Sequence, residues 1–321
     1  MRLLIPGGAG YIGSHMVRFA QEAGHDVVVL DNFSTGHRGA VSGSEILEVD
    51  LLDRDRVLQS LEGRDFDGVI HFAAKSLVGE SVSRPQLYYR NNLVGTLNLV
   101  EAMQRIDLNN LVFSSTAAIF GNPIEHKISE DHPQNPINPY GRSKLMVERV
   151  LQDICTANDF NATCLRYFNA AGAHPSGEIG EAHDPETHLI PNVFKAVTSR
   201  DKKLAVFGND YPTPDGTCVR DYIHVNDLAH AHLLSIEYMR NNKGFSVFNL
   251  GNGDGFSVLD IINGCQRIAR SEILYSIRER REGDPARLVS DSRKAKRELL
   301  WRPQYTAIDD ILSSAWVWHK Q

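Results

Sequence analysis

The sequence is poor in the features that would commit it to a special environment. It has only four cysteines in 321 residues (Cys155, Cys164, Cys218 and Cys265). They lie far apart with no C-x-x-C pair, which argues against a disulfide scaffold or a zinc ribbon and fits a reduced cytoplasm. No stretch of about 18 apolar residues occurs, and the opening "MRLLIPGG" runs into glycines too soon for a signal-peptide core, so a soluble protein is expected. Charge of one sign is also missing. With 34 basic and 40 acidic residues the net charge is −6, and no block of like charge points to nucleic acid or a membrane surface as a partner. No internal repeat or low-complexity tract is present.

What is present is a succession of short apolar runs separated by helical patterns: "RLLIP", "DVVVLD", "EILEVD", "GVIHFAA", "LVFSS" and "ATCLRYF". Runs that are continuously hydrophobic suit strands buried on both faces, hence a parallel sheet joined by crossover helices such as "YIGSHMVRFAQEAG" and "YYRNNLVGTLNLVEAMQRI". The expected fold is α/β, a Rossmann-like doubly wound sheet over residues 1–172. Past it, "AAGAHPSGEIGEAHDPETH" has no periodicity, and a loop that long marks a functional segment or a lobe boundary. Residues 173–321 are expected to be mainly a smaller, discontinuous substrate lobe, with "FSVFNLGNG" returning one strand, near 244–250, to the sheet.

Three patterns carry chemistry. Gly7, Gly10 and Gly13 in "GGAGYIG" follow the first strand and open the first helix, where backbone N–H groups can meet a pyrophosphate. Asp31 ends the second strand, placed to accept ribose hydroxyls and to disfavour a 2′-phosphate, which selects NAD over NADP. Asp50 could serve an adenine amino group or simply cap the next helix. "LVFSSTAAIFG" then delivers Ser114, Ser115 and Thr116 to the carboxyl edge of the sheet. About 24 residues on stand Tyr140 and Lys144, four apart and so on one helix face. A phenol with an ordinary pKa near ~10 is a poor base, but an adjacent ammonium favours its phenolate. No metal site is expected: His230 and His232, two apart on a probable helix, point apart.

Together with "LDNFSTGHR", "HFAAKSLVGES", "YYRNNLVGT", "NPYGRSK", "LRYFNAAGAHPSG", "FGNDYPTPDGTCVRDYIHV" and "RREGD", these motifs resemble the extended short-chain dehydrogenase/reductase family along essentially the whole chain, most closely its nucleotide-sugar epimerases. The resemblance implies reversible epimerisation at C4 of a UDP-hexose through a 4-ketose, with tightly bound NAD. Tyr140 would move the proton of the 4-hydroxyl with help from Thr116, and Lys144 would bond the nicotinamide ribose and lower the phenol's pKa. Gly7, Gly10, Tyr11, Ile12, Gly13, Asp31, Asn32, Asp50, Leu51, Phe72, Ala73, Ala74, Asn91, Ser114, Tyr167 and Phe168 would line the cofactor with that pair. The UDP-sugar would meet Thr116, Tyr140, Asn169, Thr187, His188, Leu189, Ala205, Val206, Phe207, Arg220, Arg281, Asp284 and Leu288.

The sequence also departs from the family pattern. Pro6 replaces a threonine, Ser76 a lysine for which Lys75 could substitute, Thr116 a serine, and His188 an asparagine. Leu288 falls where a bulky tyrosine excludes N-acetyl sugars and small residues admit them. UDP-N-acetylhexosamines, UDP-pentoses and UDP-uronic acids are therefore alternative substrates. A dehydratase is disfavoured because Ala117 and Ala118 supply no acid beside Thr116, and a non-enzymatic NAD-binding regulator because the Tyr/Lys pair is intact. The resemblance further implies a homodimer.

Overall fold

A computed structural model describes residues 1–198, 203–281 and 284–321. Six strands arise in the first 167 residues: β1 (Arg2–Pro6), β2 (Asp26–Asp31), β3 (Glu45–Glu48), β4 (Gly68–His71), β5 (Asn110–Ser114) and β6 (Asn161–Tyr167). They lie parallel in one sheet with β11 (Phe245–Leu250) at its edge, in the order β11-β6-β5-β4-β1-β2-β3. The crossovers are α1 (Tyr11–Glu22), α2 (Arg54–Leu61), α5 (Gly95–Arg105) and α6 (Pro139–Ala157), with short α3 (Val78–Ser83) and α4 (Pro85–Tyr88) before α5.

The apolar runs make sense as two buried faces. Leu3, Ile5, Val27 and Val29 pack with Met16, Ala20 and Leu228 on one side, while Leu4, Val28 and Leu30 pack with Leu99, Val147 and Leu151 on the other. Alternate residues thus enter opposite cores, and each buried Val or Leu stabilises the fold by about 1.5–3 kcal/mol. The run "EILEVD" stops being strand at Glu48 because Asp53 N–H bonds the Asp50 carbonyl (2.9 Å), turning the chain. The pattern "YYRNNLVGTLNLVEAMQRI" does not form one uniform helix: Tyr89–Val94 is a π-helical turn between α4 and α5.

Beyond β6 the chain makes β7 (Asn169–Ala171), α7 (Leu189–Thr198), β8 (Leu204–Phe207), β9 (Val219–Arg220), β10 (Tyr222–His224) and α8 (Val225–Met239). Helix α8 packs beside α1 on the main sheet, as the shared cluster of Met16, Ala20, Leu228 and Ile236 shows. After β11 come β12 (Phe256–Ser257), α9 (Val258–Ala269), β13 (Tyr275–Arg278), β14 (Arg287–Leu288), α10 (Arg293–Glu298) and α11 (Ile308–His319). Helices α7, α9 and α11 close a second core around Phe194, Ile261, Ile262 and Ile311. Ser257 and Asp260 start α9 with a reciprocal capping box, which satisfies two otherwise orphaned N–H groups.

Candidate active site

Everything with chemical character gathers at the carboxyl edge of the sheet, where the strand-to-helix turns open. Pro6 has no N–H, but the adjacent Gly7 N–H reaches Leu30 O (2.8 Å), and Pro6 O accepts from Phe72 N and Ala73 N (2.8 and 3.0 Å). Gly7 has φ +78°, and a Cβ there would overlap the Ala73 backbone; a Cβ on Gly13 would overlap Gly7 O. Gly10 differs, because a Cβ on it would meet nothing in the chain nearer than Gly7 O at 3.5 Å. No side chain caps α1, whose N-cap is Gly10. Bare N–H groups with the positive end of the helix dipole, beside a residue kept small where the protein itself leaves room, fit the pyrophosphate of a dinucleotide.

The carboxylate of Asp31 is buried and pinned beside this loop. It accepts from Ala9 N (3.0 Å) through one oxygen and Phe33 N (2.8 Å) through the other. Asp50 accepts from Asn32 Nδ2 (2.9 Å) and Leu52 N (2.8 Å), and the N-cap of α2 is Asp53 instead. Asp50 and Asn32 therefore form one polar edge next to Asp31, and Leu51 is buried behind them. Ala73 and Ala74 follow β4, with the Phe72 ring against His232 (4.7 Å between centroids). The π-turn presents Asn91, while Asn92, one residue on, clamps the Lys75 backbone at both N–H (2.8 Å) and C=O (3.0 Å) and reaches Ser143 Oγ (3.0 Å).

Of the three hydroxyls at the end of β5, two have buried partners. His232 Nδ1 lies 2.8 Å from Leu228 O, and burial lowers the His232 pKa to about 4. The ring is therefore neutral with its proton on Nδ1, and Nε2 accepts the Ser114 hydroxyl (2.8 Å). Ser115 Oγ donates to Glu148. Thr116 Oγ1 accepts Ala118 N (3.1 Å), and it is the hydroxyl that acts on Tyr140.

Asn138 caps α6 by accepting from Gly141 N (2.9 Å), with Pro139 in the first turn, which fixes where the helix begins. Tyr140, Lys144 and Glu148 then recur every four residues along one buried stripe. Burial raises the Tyr140 pKa, and the Thr116 hydroxyl works against that rise. Burial lowers the Lys144 pKa to about 7. Its ammonium donates to Ser114 O (2.8 Å) and lies over the Phe113 ring (4.6 Å). In this geometry Lys144 is held by the strand, one helical turn from Tyr140, and the Thr116 hydroxyl eases phenol ionisation.

Behind the stripe, Glu148 and Arg166 form a pair whose side chains are only 2% and 3% exposed, with Arg166 Nη2 2.7 Å from Glu148 Oε2 and Arg166 Nη1 donating to Glu130 O (3.1 Å). It locks α6 to β6. Nothing in the local sequence marks it, because its members are 18 residues apart in different elements.

The far wall comes from the later chain. Tyr167 approaches Ser114, and burial raises its pKa. Phe168 and Leu288 share a small apolar cluster with Ala117 and Phe120, so Leu288 lies on the Thr116 side of the cleft. Asn169 is held by its N–H to Asp221 O (2.9 Å). Arg220 is paired with Asp284 and also donates to Pro285 O (2.8 Å). The Arg281 guanidinium lies over the Phe207 ring (4.0 Å). Ala205 and Phe207 are partly exposed on β8, but the Val206 side chain is in the lobe's core, so Val206 can offer a ligand only its backbone. Tyr11 OH donates to Gly172 O (2.6 Å), tying the glycine loop to the segment that leads into the second lobe. Thr187 and His188 are exposed, and Leu189 packs on the lobe's core. Burial pulls the His188 pKa down, but Glu181 and Glu186 outweigh it and hold it up at about 10.

His230 and His232 do take separate partners, the Phe19 ring and Ser114. Sequence reasoning passed over a denser group, Glu181, His183, Glu186 and His188, whose signal was the spacing E-x-H-x-x-E-x-H inside a loop with no hydrophobic period.

A doubly wound parallel sheet with a glycine-lined helix start, an acid at the end of β2 and a Thr/Tyr/Lys group at its carboxyl edge defines a Rossmann-type protein of the dinucleotide-dependent kind. The chain belongs to the NAD dependent epimerase/dehydratase family, whose model matches residues 3–251. The UDP-glucose 4-epimerase of Halalkalibacterium halodurans is 48% identical over 100% of this chain and 96% of its own length. The crystal structure of UDP-glucose 4-epimerase from Brucella ovis in complex with NAD superposes with a TM-score of 0.95 at 45% identity, covering 98% of this chain and 97% of that one. The UDP-Glc/GlcNAc 4-epimerase of Campylobacter jejuni superposes with a TM-score of 0.86 at 42% identity, covering 99% of each chain.

Proposed function

We propose that this chain is a UDP-glucose 4-epimerase, an NAD-dependent isomerase that interconverts UDP-glucose and UDP-galactose. The observation that carries the proposal is that Thr116 and Tyr140 meet at the same carboxyl edge of the sheet as the helix start at Gly10 and the Asp31 carboxylate. NAD, when bound, supplies a hydride acceptor and, in the second half of the reaction, the donor. The chain's own residues do the rest. Tyr140 Oη takes the proton of the sugar 4-hydroxyl and returns it, and Thr116 Oγ1 holds the same oxygen. Lys144 Nζ, held by Ser114 O, would bond the nicotinamide ribose. Gly7, Gly10, Tyr11, Ile12 and Gly13 hold the pyrophosphate, Asp31 and Asn32 the ribose, and Asp50 the adenine edge.

On the sugar side, Arg220 and Arg281 supply guanidiniums for a diphosphate, with Asp284 as the group Arg220 releases. Asn169, Thr187 to Leu189 and Ala205 to Phe207 complete the wall. The enzyme is proposed to act as a cytoplasmic homodimer. Val94, Leu97 and Met146 are exposed apolar residues on the π-turn, α5 and α6, and among the described residues no helix is long and apolar enough to cross a membrane.

The test is direct. Purified protein should carry an NAD absorbance signature and interconvert UDP-glucose and UDP-galactose. Tyr140→Phe should lose turnover by at least about 10²-fold, the usual worth of a positioned proton shuttle, with fold and NAD retained. A wild-type protein that neither holds NAD nor turns over either sugar nucleotide refutes the proposal.

A further inference from the structure

The loop that joins β7 to α7 gathers two imidazoles and two carboxylates that take no part in the proposed proton and hydride transfers, although His188 also borders the proposed sugar-nucleotide wall. His188 Nδ1 lies 2.8 Å from Glu181 Oε1 and 2.9 Å from Glu186 Oε1. His183 Nδ1 lies 3.3 Å from the same Glu181 oxygen and 3.7 Å from Glu186 Oε2. Both carboxylates are sequestered, with side chains 6% and 2% exposed.

Hydrogen bonding accounts for only part of this arrangement, the 2.9 Å bond between His188 Nδ1 and Glu186 Oε1. An imidazole nitrogen carries at most one proton, yet each Nδ1 faces two carboxylates. Among the described residues, His183 Nδ1 and Glu186 Oε2 are buried with no hydrogen-bond partner, which is a cost unless something else occupies the space between them.

A cation does account for it. Four ligand atoms, one per residue, lie within 4.8 Å of one another. A tetrahedral ion held at about 2.0–2.1 Å from each ligand would space them about 3.3 Å apart, close to the His–Glu contacts of 2.8 to 3.7 Å, and the widest spacing of up to 4.8 Å would have to close by about 1.5 Å on binding. Two carboxylates and two neutral imidazoles balance a dication, and imidazole with carboxylate suits Zn²⁺ among the first-row metals. Four protein ligands leave no open position, so the site is structural in kind.

We propose that Glu181, His183, Glu186 and His188 form a tetrahedral Zn²⁺ site. The ion fastens the entry to the second lobe against three other parts of the molecule. Glu186 Oε1 also accepts from the amides of Thr187 and His188 (2.9 Å each), which shapes the turn into α7. Trp318 Nε1, from α11, donates to Glu181 O (3.0 Å). Tyr11 in the glycine loop stands edge-on to His183 (6.1 Å between centroids).

The test uses the full chain, stripped with a chelator and titrated first with Zn²⁺ by calorimetry and then with Co²⁺ as an optical probe. The expected result is one equivalent bound with micromolar or tighter affinity, an intense tetrahedral Co²⁺ spectrum, and a Tm that rises with added Zn²⁺. Glu181→Gln and His183→Ala should each weaken binding at least about tenfold, since even outer partners of a metal are worth that much, while His126→Ala on the exposed surface should not. Circular dichroism identifies any variant that fails to fold, and the wild-type stoichiometry and Co²⁺ spectrum then decide alone. Absence of a saturable equivalent in the wild type, an octahedral Co²⁺ spectrum, or unchanged affinity in both folded variants overturns the site.

Discussion

Remove the carboxylate of Glu148 and the Arg166 guanidinium, 3% exposed at its side chain, is left charged inside the protein. Breaking a buried pair from one side costs about 3–5 kcal/mol, because the surviving charge has no compensation. Glu148→Leu and Arg166→Met should therefore each lose that much. At about 2 °C per kcal/mol for a chain of this size, Tm falls by roughly 6–10 °C. The double variant should behave differently, since replacing the whole pair by apolar side chains of similar volume removes both charges. What it still loses are the hydrogen bonds to Ser115 Oγ and Glu130 O, about 1–3 kcal/mol in all. The double variant is thus expected to be no less stable than either single one, a coupling of several kcal/mol. Urea unfolding of all four proteins, followed by tryptophan fluorescence and far-UV circular dichroism together, measures the cycle. Additive losses in the double variant, or single losses below about 1 kcal/mol, would refute the reading that this pair locks α6 in place.

The glycine loop offers a sharper separation of fold from ligand. Gly13→Ala should destabilise the protein itself by at least about 2 kcal/mol through overlap with Gly7 O, whereas Gly10→Ala should lose bound NAD and keep the Tm of the NAD-free wild type; equal Tm losses in both, relative to NAD-free wild type, would contradict the assignment of Gly10 to the pyrophosphate. Acid should weaken the fold through His71 and His232, whose pKa values burial lowers to about 3 and about 4. In the unfolded chain they protonate near about 6.5, so their contribution is complete above that pH and is lost as pH falls from there toward the folded values, by up to about 1.4 kcal/mol per pH unit for each ring. Urea midpoints at about pH 7 and about pH 5 read the slope, and a flat profile would defeat the argument. Leu288→Tyr should lower kcat/KM for UDP-GalNAc at least about tenfold relative to UDP-Gal by filling the Thr116 side of the cleft; an unchanged ratio would remove Leu288 from the sugar pocket.

Much of the scaffold could be read directly from residue order. "RLLIP" and "DVVVLD" coincide with β1 and β2 because a strand buried on both faces must be apolar throughout, and turns end both abruptly. The start of α6 was equally legible, since Asn138 and Pro139 are local signals that need no distant partner. What escaped depends on pairing across the chain. Glu148 looks like any helical acid until Arg166 meets it from β6. Ser114 and Ser115 look equivalent to Thr116 until His232 and Glu148 claim their hydroxyls. The spacing of Lys144 from Tyr140 is legible, but the Ser114 carbonyl that fixes the direction of its ammonium is not. The π-turn at Tyr89–Val94 was hidden inside an ordinary helical period, and the four ligating side chains between 181 and 188 stood in a segment whose lack of hydrophobic rhythm drew attention away from it.

The edge position of β11 bears on how the molecule is made. Its partner β6 is complete by Tyr167, yet the strand that covers it ends only at Leu250. During synthesis, β6 therefore emerges with its outer row of N–H and C=O groups open while more than seventy further residues are still to come, an interval of seconds in which that row is a template for any other extended chain. A fragment cut after β6 would carry the same open edge permanently, and should self-associate even though it holds the glycine loop, Asp31, Tyr140 and Lys144. The reacting groups lie in the first half of the polypeptide, but the strand that closes the edge of their sheet comes from the second.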